Sequence, residues 1–188
     1  VYFDTPELDS YRSSAHGRRD RFKVRTRVYV EAGWCVLEVK AAGGRGHTVT
    51  QRIDYPLEDR ARLDGPAPAF LADRNLPVGQ LNPTLTTSYR RARLLDLEGS
   101  RATLDTGLVC RSPDGRQVSM ATRRVLLETK SIGTATSLDR RLWARGIRPE
   151  CVSKYCTGRA ALTPERPANK RNRTLCRLFE WTPFRTSG

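Results

Sequence analysis

Arg21-Phe22-Lys23-Val24-Arg25-Thr26-Arg27-Val28-Tyr29-Val30 is the stretch whose reading decides the fold. Successive side chains on a β-strand point to opposite faces, so the run divides cleanly in two. One face carries Arg21, Lys23, Arg25, Arg27 and Tyr29; the other carries Phe22, Val24, Thr26, Val28 and Val30. The second set asks for a core. The first needs a separate explanation, because neighbouring cations repel by roughly 1 kcal/mol per pair even in water, and more where water is scarce. A solvated outer face would account for one such strand. The recurrence of the pattern along the chain points instead to a surface that meets an anion.

After a turn at Gly33, residues 34–40 read as a second strand, with Val36, Glu38 and Lys40 opposite Cys35, Leu37 and Val39. A glycine-rich turn (Gly43, Gly44, Gly46) leads to a third strand over 48–55, whose polar face carries Thr48, Thr50 and Arg52. These three strands predict an antiparallel meander. Short helices are expected over 57–63 and from Pro66 to about residue 76, placed to cover the apolar side of the sheet. A fourth long strand, 84–95, aligns Tyr89, Arg91 and Arg93; the return strand from 101 aligns Arg101, Thr103 and Asp105. Residues 123–130 form a further strand with Arg124, Leu126, Glu128 and Lys130 on one face. A helix over 135–145 follows, with Thr134 or Thr136 as N-cap, Leu138 and Leu142 as its apolar stripe and Gly146 as its stop. Upstream, residues 1–3 are strand-like, and Pro6 and Glu7 suit the first turn of a helix reaching Ser14.

The totals agree with this reading. The chain of 188 residues suits one sizeable domain and a tail. Its 34 Lys and Arg against 20 Asp and Glu leave a net charge of +14, which selects nucleic acid, an anionic membrane or a polyanionic substrate as partner. Most of the excess is Arg, suited to bidentate contact with phosphate or carboxylate. No apolar run reaches the length of a membrane span, and no signal peptide is visible. The five cysteines are odd in number and unpaired by any CxxC spacing, which with only His16 and His47 beside them argues against zinc. Free thiols in a reducing cytoplasm are expected.

The polar faces together collect Lys23, Arg25, Arg27, Glu38, Lys40, Arg52, Tyr89, Arg91, Arg101, Glu128 and Lys130. The expected fold class is α+β, a closed antiparallel barrel whose polar, basic lumen holds these side chains while helices cover the apolar exterior. Buried cations need partners, and a string of phosphates supplies them. Glu128, and with it Glu38, are then candidate ligands for a divalent metal that bridges phosphate oxygens during phosphoryl transfer. No nucleophilic side chain is required, which suits a sequence almost without histidine.

Seven short motifs occur in order: Tyr2-Phe3-Asp4-Thr5-Pro6, Lys23-Val24-Arg25-x-Arg27, Leu37-Glu38-Val39-Lys40, Tyr89-Arg90-Arg91, Leu104-Asp105-Thr106, Leu127-Glu128-Thr129-Lys130 and Ser153-Lys154-Tyr155. This succession resembles the VTC (vacuolar transporter chaperone) domain, the polyphosphate polymerase branch of the CYTH-like triphosphate tunnel metalloenzymes. The resemblance implies a tunnel enzyme that extends inorganic polyphosphate from ATP or another nucleoside triphosphate with Mn²⁺ or Mg²⁺. It implies catalytic roles for Arg25, Arg27, Lys40 and Lys154, and phosphate binding by Lys23, Arg52, Tyr89, Arg91, Arg101 and Lys130. The metal would fall to Glu128 and Glu38. Thr50 stands where the family often has a lysine, with Arg52 nearby as a substitute, and Cys151 replaces another lysine of some members.

The resemblance covers residues 1–162, leaving 163–188 as a basic, proline-containing and partly disordered C-terminal tail. It also leads to the expectation that the domain is N-terminally incomplete by a helix and a strand, so that the barrel carries an exposed edge. Two other functions fit the same residues: hydrolysis of tri- or polyphosphate, and non-catalytic polyphosphate binding. Specific nucleic-acid binding ranks last, despite the Lys170-Arg171-Asn172-Arg173 cluster, because aromatics do not interleave with the basic strands as stacking platforms would.

Overall fold

The structure, a computed structural model, describes residues 1–43, 47–95, 101–130, 134–163 and 172–179. Among the described residues eight strands and five α-helices follow in order: β1 (Tyr2–Asp4), α1 (Asp9–His16), β2 (Phe22–Tyr29), β3 (Trp34–Ala42), β4 (Thr48–Asp54), α2 (Ala67–Ala72), β5 (Asn82–Leu95), β6 (Arg101–Arg111), β7 (Gln117–Ser119), β8 (Leu126–Lys130), α3 (Ser137–Ala144), α4 (Lys154–Leu162) and α5 (Asn172–Phe179). The strands hydrogen-bond in the order β4-β3-β2-β1-β5-β6-β7, with β8 paired to β6. Each pairing whose register is described is antiparallel. The α+β class is therefore as expected, but the barrel is not: the sheet runs from β4 to β7 without closing on itself. Among the described residues β4 has β3 as its one partner strand, and no strand returns to its outer edge.

The chain forms two compact units. The first comprises Val1–Thr87 with Arg111–Arg116, and the second Ser88–Cys110 with the described residues from 117 onward. In the first unit the meander is present in register. Lys23 lies opposite Lys40, Arg25 opposite Glu38 and Thr26 opposite Leu37; across β3 and β4, Glu38 faces Arg52 and Lys40 faces Thr50. The alternation works as the sequence implies. Val24, Leu37 and Val39 go into a core with Phe3, Cys35, Tyr55 and the α2 residues Ala67, Phe70 and Leu71. Burying a side chain of this size contributes about 1.5–3 kcal/mol, which makes this face the main source of the unit's stability.

Residues 57–63 are turns, not the helix expected of them. The Tyr55 hydroxyl organises them, donating toward the carbonyls of Arg62 and Asp64 and accepting from the Asp64 amide. Thr26, on the apolar face, donates to the Arg60 carbonyl at 2.5 Å and so satisfies its own buried hydroxyl. These side-chain bonds compete with the helical ladder and win.

The helix α1 begins at Asp9, later than Pro6 and Glu7 suggest. Leu8 precedes it in the left-handed region (φ 60°) and supplies no cap. The cap comes from Asp4, which is fully buried. Its Oδ1 accepts from the amides of Thr5 (2.9 Å) and Ser10 (2.8 Å), and its Oδ2 from the amide of Tyr11 (2.9 Å). Thr5 Oγ1 accepts from the Asp9 amide at 3.1 Å. The first-turn amides that a helix leaves orphaned are thus satisfied from β1, which ties the helix to the sheet.

In the second unit, Arg101 lies opposite Lys130, Thr103 opposite Glu128 and Asp105 opposite Leu126. The helix α3 starts at Thr136 with a capping box, Thr136 Oγ1 accepting from the Asp139 amide and the Asp139 carboxylate accepting from the Thr136 amide. Its Leu138–Leu142 stripe was expected to cover the sheet, yet none of its residues is buried. The C-terminal segment differs as well. Within the span read as a tail, Asn172–Phe179 is helical, and Leu175, Leu178 and Phe179 are buried. Their spacing of three and one is one apolar helical face, obscured in the sequence by the surrounding Arg and Pro residues. Gly44, Gly46, Lys170, Arg171 and the terminal aromatics Trp181 and Phe184 lie outside the described residues. All five cysteines are free thiols, and no helix among the described residues is long and apolar enough to cross a membrane.

The buried Asp4 yields a direct check. Asp4→Ala strands three amides, two of them in the first turn of α1, and is expected to destabilise the protein by about 2–4 kcal/mol. The midpoint of urea unfolding measures this, and Asp4→Asn, which keeps one acceptor oxygen, should lose less.

Candidate functional site

Each unit gathers cations around one buried carboxylate. In the first, Glu38 is only 4% exposed although it lies on the polar face of β3. Arg25 Nε donates to Glu38 Oε2 at 2.7 Å and its Nη2 lies 2.6 Å from the same oxygen. Arg25 Nη1 also donates to the Tyr2 hydroxyl at 3.1 Å. Burial by itself would raise the Glu38 pKa; the charge and hydrogen bond of Arg25 outweigh it, helped by Arg27 and Lys40, and hold the carboxyl below its ordinary range. Arg52 stands directly across from Glu38 in the register, and Lys23 across from Lys40. The Arg27 guanidinium lies over the Tyr29 ring at 5.0 Å, and that of Arg52 over Trp34 at 5.7 Å. Lys23, Arg25, Arg27, Glu38, Lys40 and Arg52 therefore share one face of one sheet.

In the second unit the centre is Asp105, 1% exposed. Arg91 binds it as a two-pronged fork, Nε to Oδ1 at 2.6 Å and Nη2 to Oδ2 at 2.7 Å. Lys154 Nζ lies 2.5 Å from Oδ2. Tyr89 completes the group, its ring 5.2 Å from the Arg91 guanidinium and 4.8 Å from the Lys154 ammonium. Lys154 is delivered by the first turn of α4, whose N-cap Ser153 accepts from the Cys156 amide. Burial pushes the Asp105 pKa up, but the hydrogen bonds from Arg91 and Lys154 prevail and the pKa is lowered.

Arg101 and Lys130 are exposed and directly opposite each other on β6 and β8. Glu128 is exposed on the same face of β8 and close enough for its charge to strengthen protonation of Arg91. Like charges directly opposite on neighbouring strands destabilise a sheet. Lys23–Lys40 and Arg101–Lys130 are two such pairs, one in each unit.

Three residues of these clusters carried no role in the sequence reading. Asp105 was aligned with Arg101 and Thr103 by alternation and stood in the Leu104-Asp105-Thr106 motif, and Tyr2 stood in the Tyr2-Phe3-Asp4-Thr5-Pro6 motif, but neither signal gave a role. Trp34 had no signal, because what it touches depends on strand pairing. The expected metal ligands fare differently. Glu38 already has Arg25 as its partner, whereas Glu128 has no ion-pair partner among the described residues. Among those residues no group of three or more His, Cys, Asp or Glu could hold a metal ion. Of the two carboxylates, Glu128 is the one that would be open to a divalent cation completed by oxygens of a bound phosphate.

The fold is α+β, an antiparallel sheet that gathers Arg and Lys around Glu38 in one unit and around Asp105 in the other. The chain belongs to the VTC domain family, whose model matches residues 1–63 and 73–163. That membership connects it with polyphosphate and with a family of polyphosphate-handling enzymes. Among curated proteins, none matches the chain.

The Asp105 cluster makes a testable statement about stability. Asp105→Ala leaves two largely buried cations without their counter-charge and is expected to cost about 3–5 kcal/mol. Because the folded pKa values of Asp105 and Glu38 are depressed, their contribution is complete above the unfolded carboxylate values of about 4 and is lost as pH falls through the lower, folded values. Unfolding midpoints followed from pH 7 to pH 3 should fall on the acid side, and the double variant Glu38→Gln/Asp105→Asn should show a flatter acid limb.

Proposed function

We propose that this chain is a metal-dependent phosphotransferase that lengthens inorganic polyphosphate at the expense of a nucleoside triphosphate. The observation that supports it best is the alignment of Lys23, Arg25, Arg27, Lys40 and Arg52 on one sheet face, with Arg101 and Lys130 directly opposite each other in the second unit. A phosphate chain offers such a row of cations counter-charge and oxygen acceptors at matching spacing.

The chemistry asks little else of the protein. A terminal oxygen of the growing chain attacks the γ-phosphorus of the nucleotide; the bond from that phosphorus to the β-phosphate oxygen breaks; the nucleoside diphosphate leaves with the electron pair. Catalysis is then alignment and neutralisation of charge. Arg27 and Lys40 would hold phosphate oxygens directly, with Lys23 and Arg52 extending the row. Arg25 is fixed by Glu38 and Tyr2, so it contributes charge from a set position. Lys154 has N–H groups beyond the one on Asp105, and Arg101, Lys130 and the Tyr89 hydroxyl can meet further oxygens. Glu128 is the carboxylate that would hold a divalent cation, Mn²⁺ or Mg²⁺, whose charge would offset that of the transferring phosphoryl group.

The test is an assay of chain growth from ATP with Mn²⁺, with products sized by gel and mass spectrometry. Longer chains support polymerisation. Orthophosphate alone would indicate hydrolysis, and tight binding without turnover at any metal would indicate a binding module. Glu128→Ala should lower turnover by about 100-fold or more while retaining polyphosphate binding. Lys40→Ala should weaken polyphosphate binding and reduce its dependence on log salt by about one unit, as for other contacts to a polyanion.

A further inference from the structure

The polar face of the first unit ends in a feature that phosphate binding does not require. Tyr29 and Trp34 lie opposite each other at the closed end of the β2–β3 hairpin and stack, ring centroids 4.9 Å apart and planes 20° from parallel. Arg27 lies over Tyr29 at 5.0 Å, and Arg52 over Trp34 at 5.7 Å. The indole edge is fixed as well, Nε1 donating to Asp54 Oδ1 at 2.8 Å. Even so, Trp34 remains 40% exposed.

A cross-strand aromatic pair can serve only to close its hairpin. Here the pair is also oriented from its edge, bounded by two guanidinium groups, and aligned with the cation row. Arg25, Arg27, Tyr29, Trp34, Glu38, Arg52 and Asp54 all fall on one face by the described register. Two residues along a strand advance it by about 7 Å, so a ligand with a flat aromatic end and an anionic end can engage both features at once. A nucleotide has that chemistry.

We propose that Trp34, backed by Tyr29, is the platform on which the base of the donor nucleotide stacks, with Arg52 closing over the base from the other side. Arg52 suits this because β4 has one partner strand among the described residues, its side chain is exposed, and its distance from the indole is longer than direct stacking. A guanidinium plane stacks on a base as readily as an aromatic ring does. The Trp34 edge is occupied by Asp54, so recognition is by stacking alone and tolerates different bases, purines above pyrimidines for their larger face. This inference rests on the reading of the chain as a user of nucleoside triphosphate, and it deepens that reading by assigning the base.

The experiment compares ATP with inorganic tripolyphosphate, which carries the phosphates without a base, by calorimetric titration of the full chain and its Trp34 variants. Trp34→Leu should weaken ATP roughly tenfold and tripolyphosphate by less than about twofold. Trp34→Phe, which keeps a ring, should retain most of the ATP affinity, and preserved tripolyphosphate binding shows that each variant is folded. ATP, and not tripolyphosphate, should quench the tryptophan emission that Trp34→Phe removes. Equal loss for both ligands, or no loss for ATP, overturns the platform while leaving phosphate binding intact. Failure of the unaltered chain to bind either ligand overturns the nucleotide reading and the platform with it.

Discussion

Repulsion among side chains that the β-pleat forces onto one face is the constraint from which the rest of this structure follows. Strand β2 cannot turn Lys23, Arg25 and Arg27 away from one another without also turning Val24 and Thr26 out of the core. The fold accepts the crowding and answers it locally. Glu38 takes Arg25, and Asp105 takes Arg91 and Lys154. Each carboxylate is almost fully buried, and each is held ionised against its own desolvation by the cations around it. Breaking such a pair from one side is costly, since the partner charge remains in place with nothing to answer it.

The same carboxylates also fix where their cations stand. Arg25 is anchored from two directions by Glu38 and Tyr2, and Lys154 is anchored by Asp105 and the face of Tyr89. Their conformational entropy is lost on folding and not on binding, which is the physical meaning of preorganisation. Lys23 opposite Lys40 and Arg101 opposite Lys130 set like charges across neighbouring strands, an arrangement that costs a sheet stability. The apolar side of the first unit supplies the stability that offsets this, through the β2 and β3 side chains sealed by α2 and through Asp4, which fastens α1 to β1.

Much of this was legible from alternation alone. The membership of Lys23, Arg25, Arg27, Glu38, Lys40 and Arg52 in one face, the core role of Val24, Leu37 and Val39, and the Thr136 cap all follow from short-range rules about strands and helix ends. Residues 57–63 were misread because helical propensity there is overridden by bonds to Tyr55, just upstream, and to Thr26 on β2. The apolar face of α5 went unseen among Arg and Pro, where local composition outweighed the spacing of Leu175, Leu178 and Phe179. The Leu138–Leu142 stripe was read correctly as a pattern, yet its residues are only half-buried, so amphipathicity did not by itself bring full burial.

What the sequence by itself determined was the direction in which each strand side chain points, because that depends on a pleat with a period of two and on nothing farther away. Only the tertiary structure decided which charges meet. Glu38 could have faced any cation on β2 or β4, and the register set it against Arg25; Asp105 became the hub of Arg91 and Lys154 through contacts 14 and 49 positions apart in the chain. The same holds for the open sheet, since closure depends on whether the edge of β4 finds a partner. Register and edge pairing are settled by the competition of whole strands for backbone hydrogen bonds and buried area, quantities that no single stretch of sequence contains.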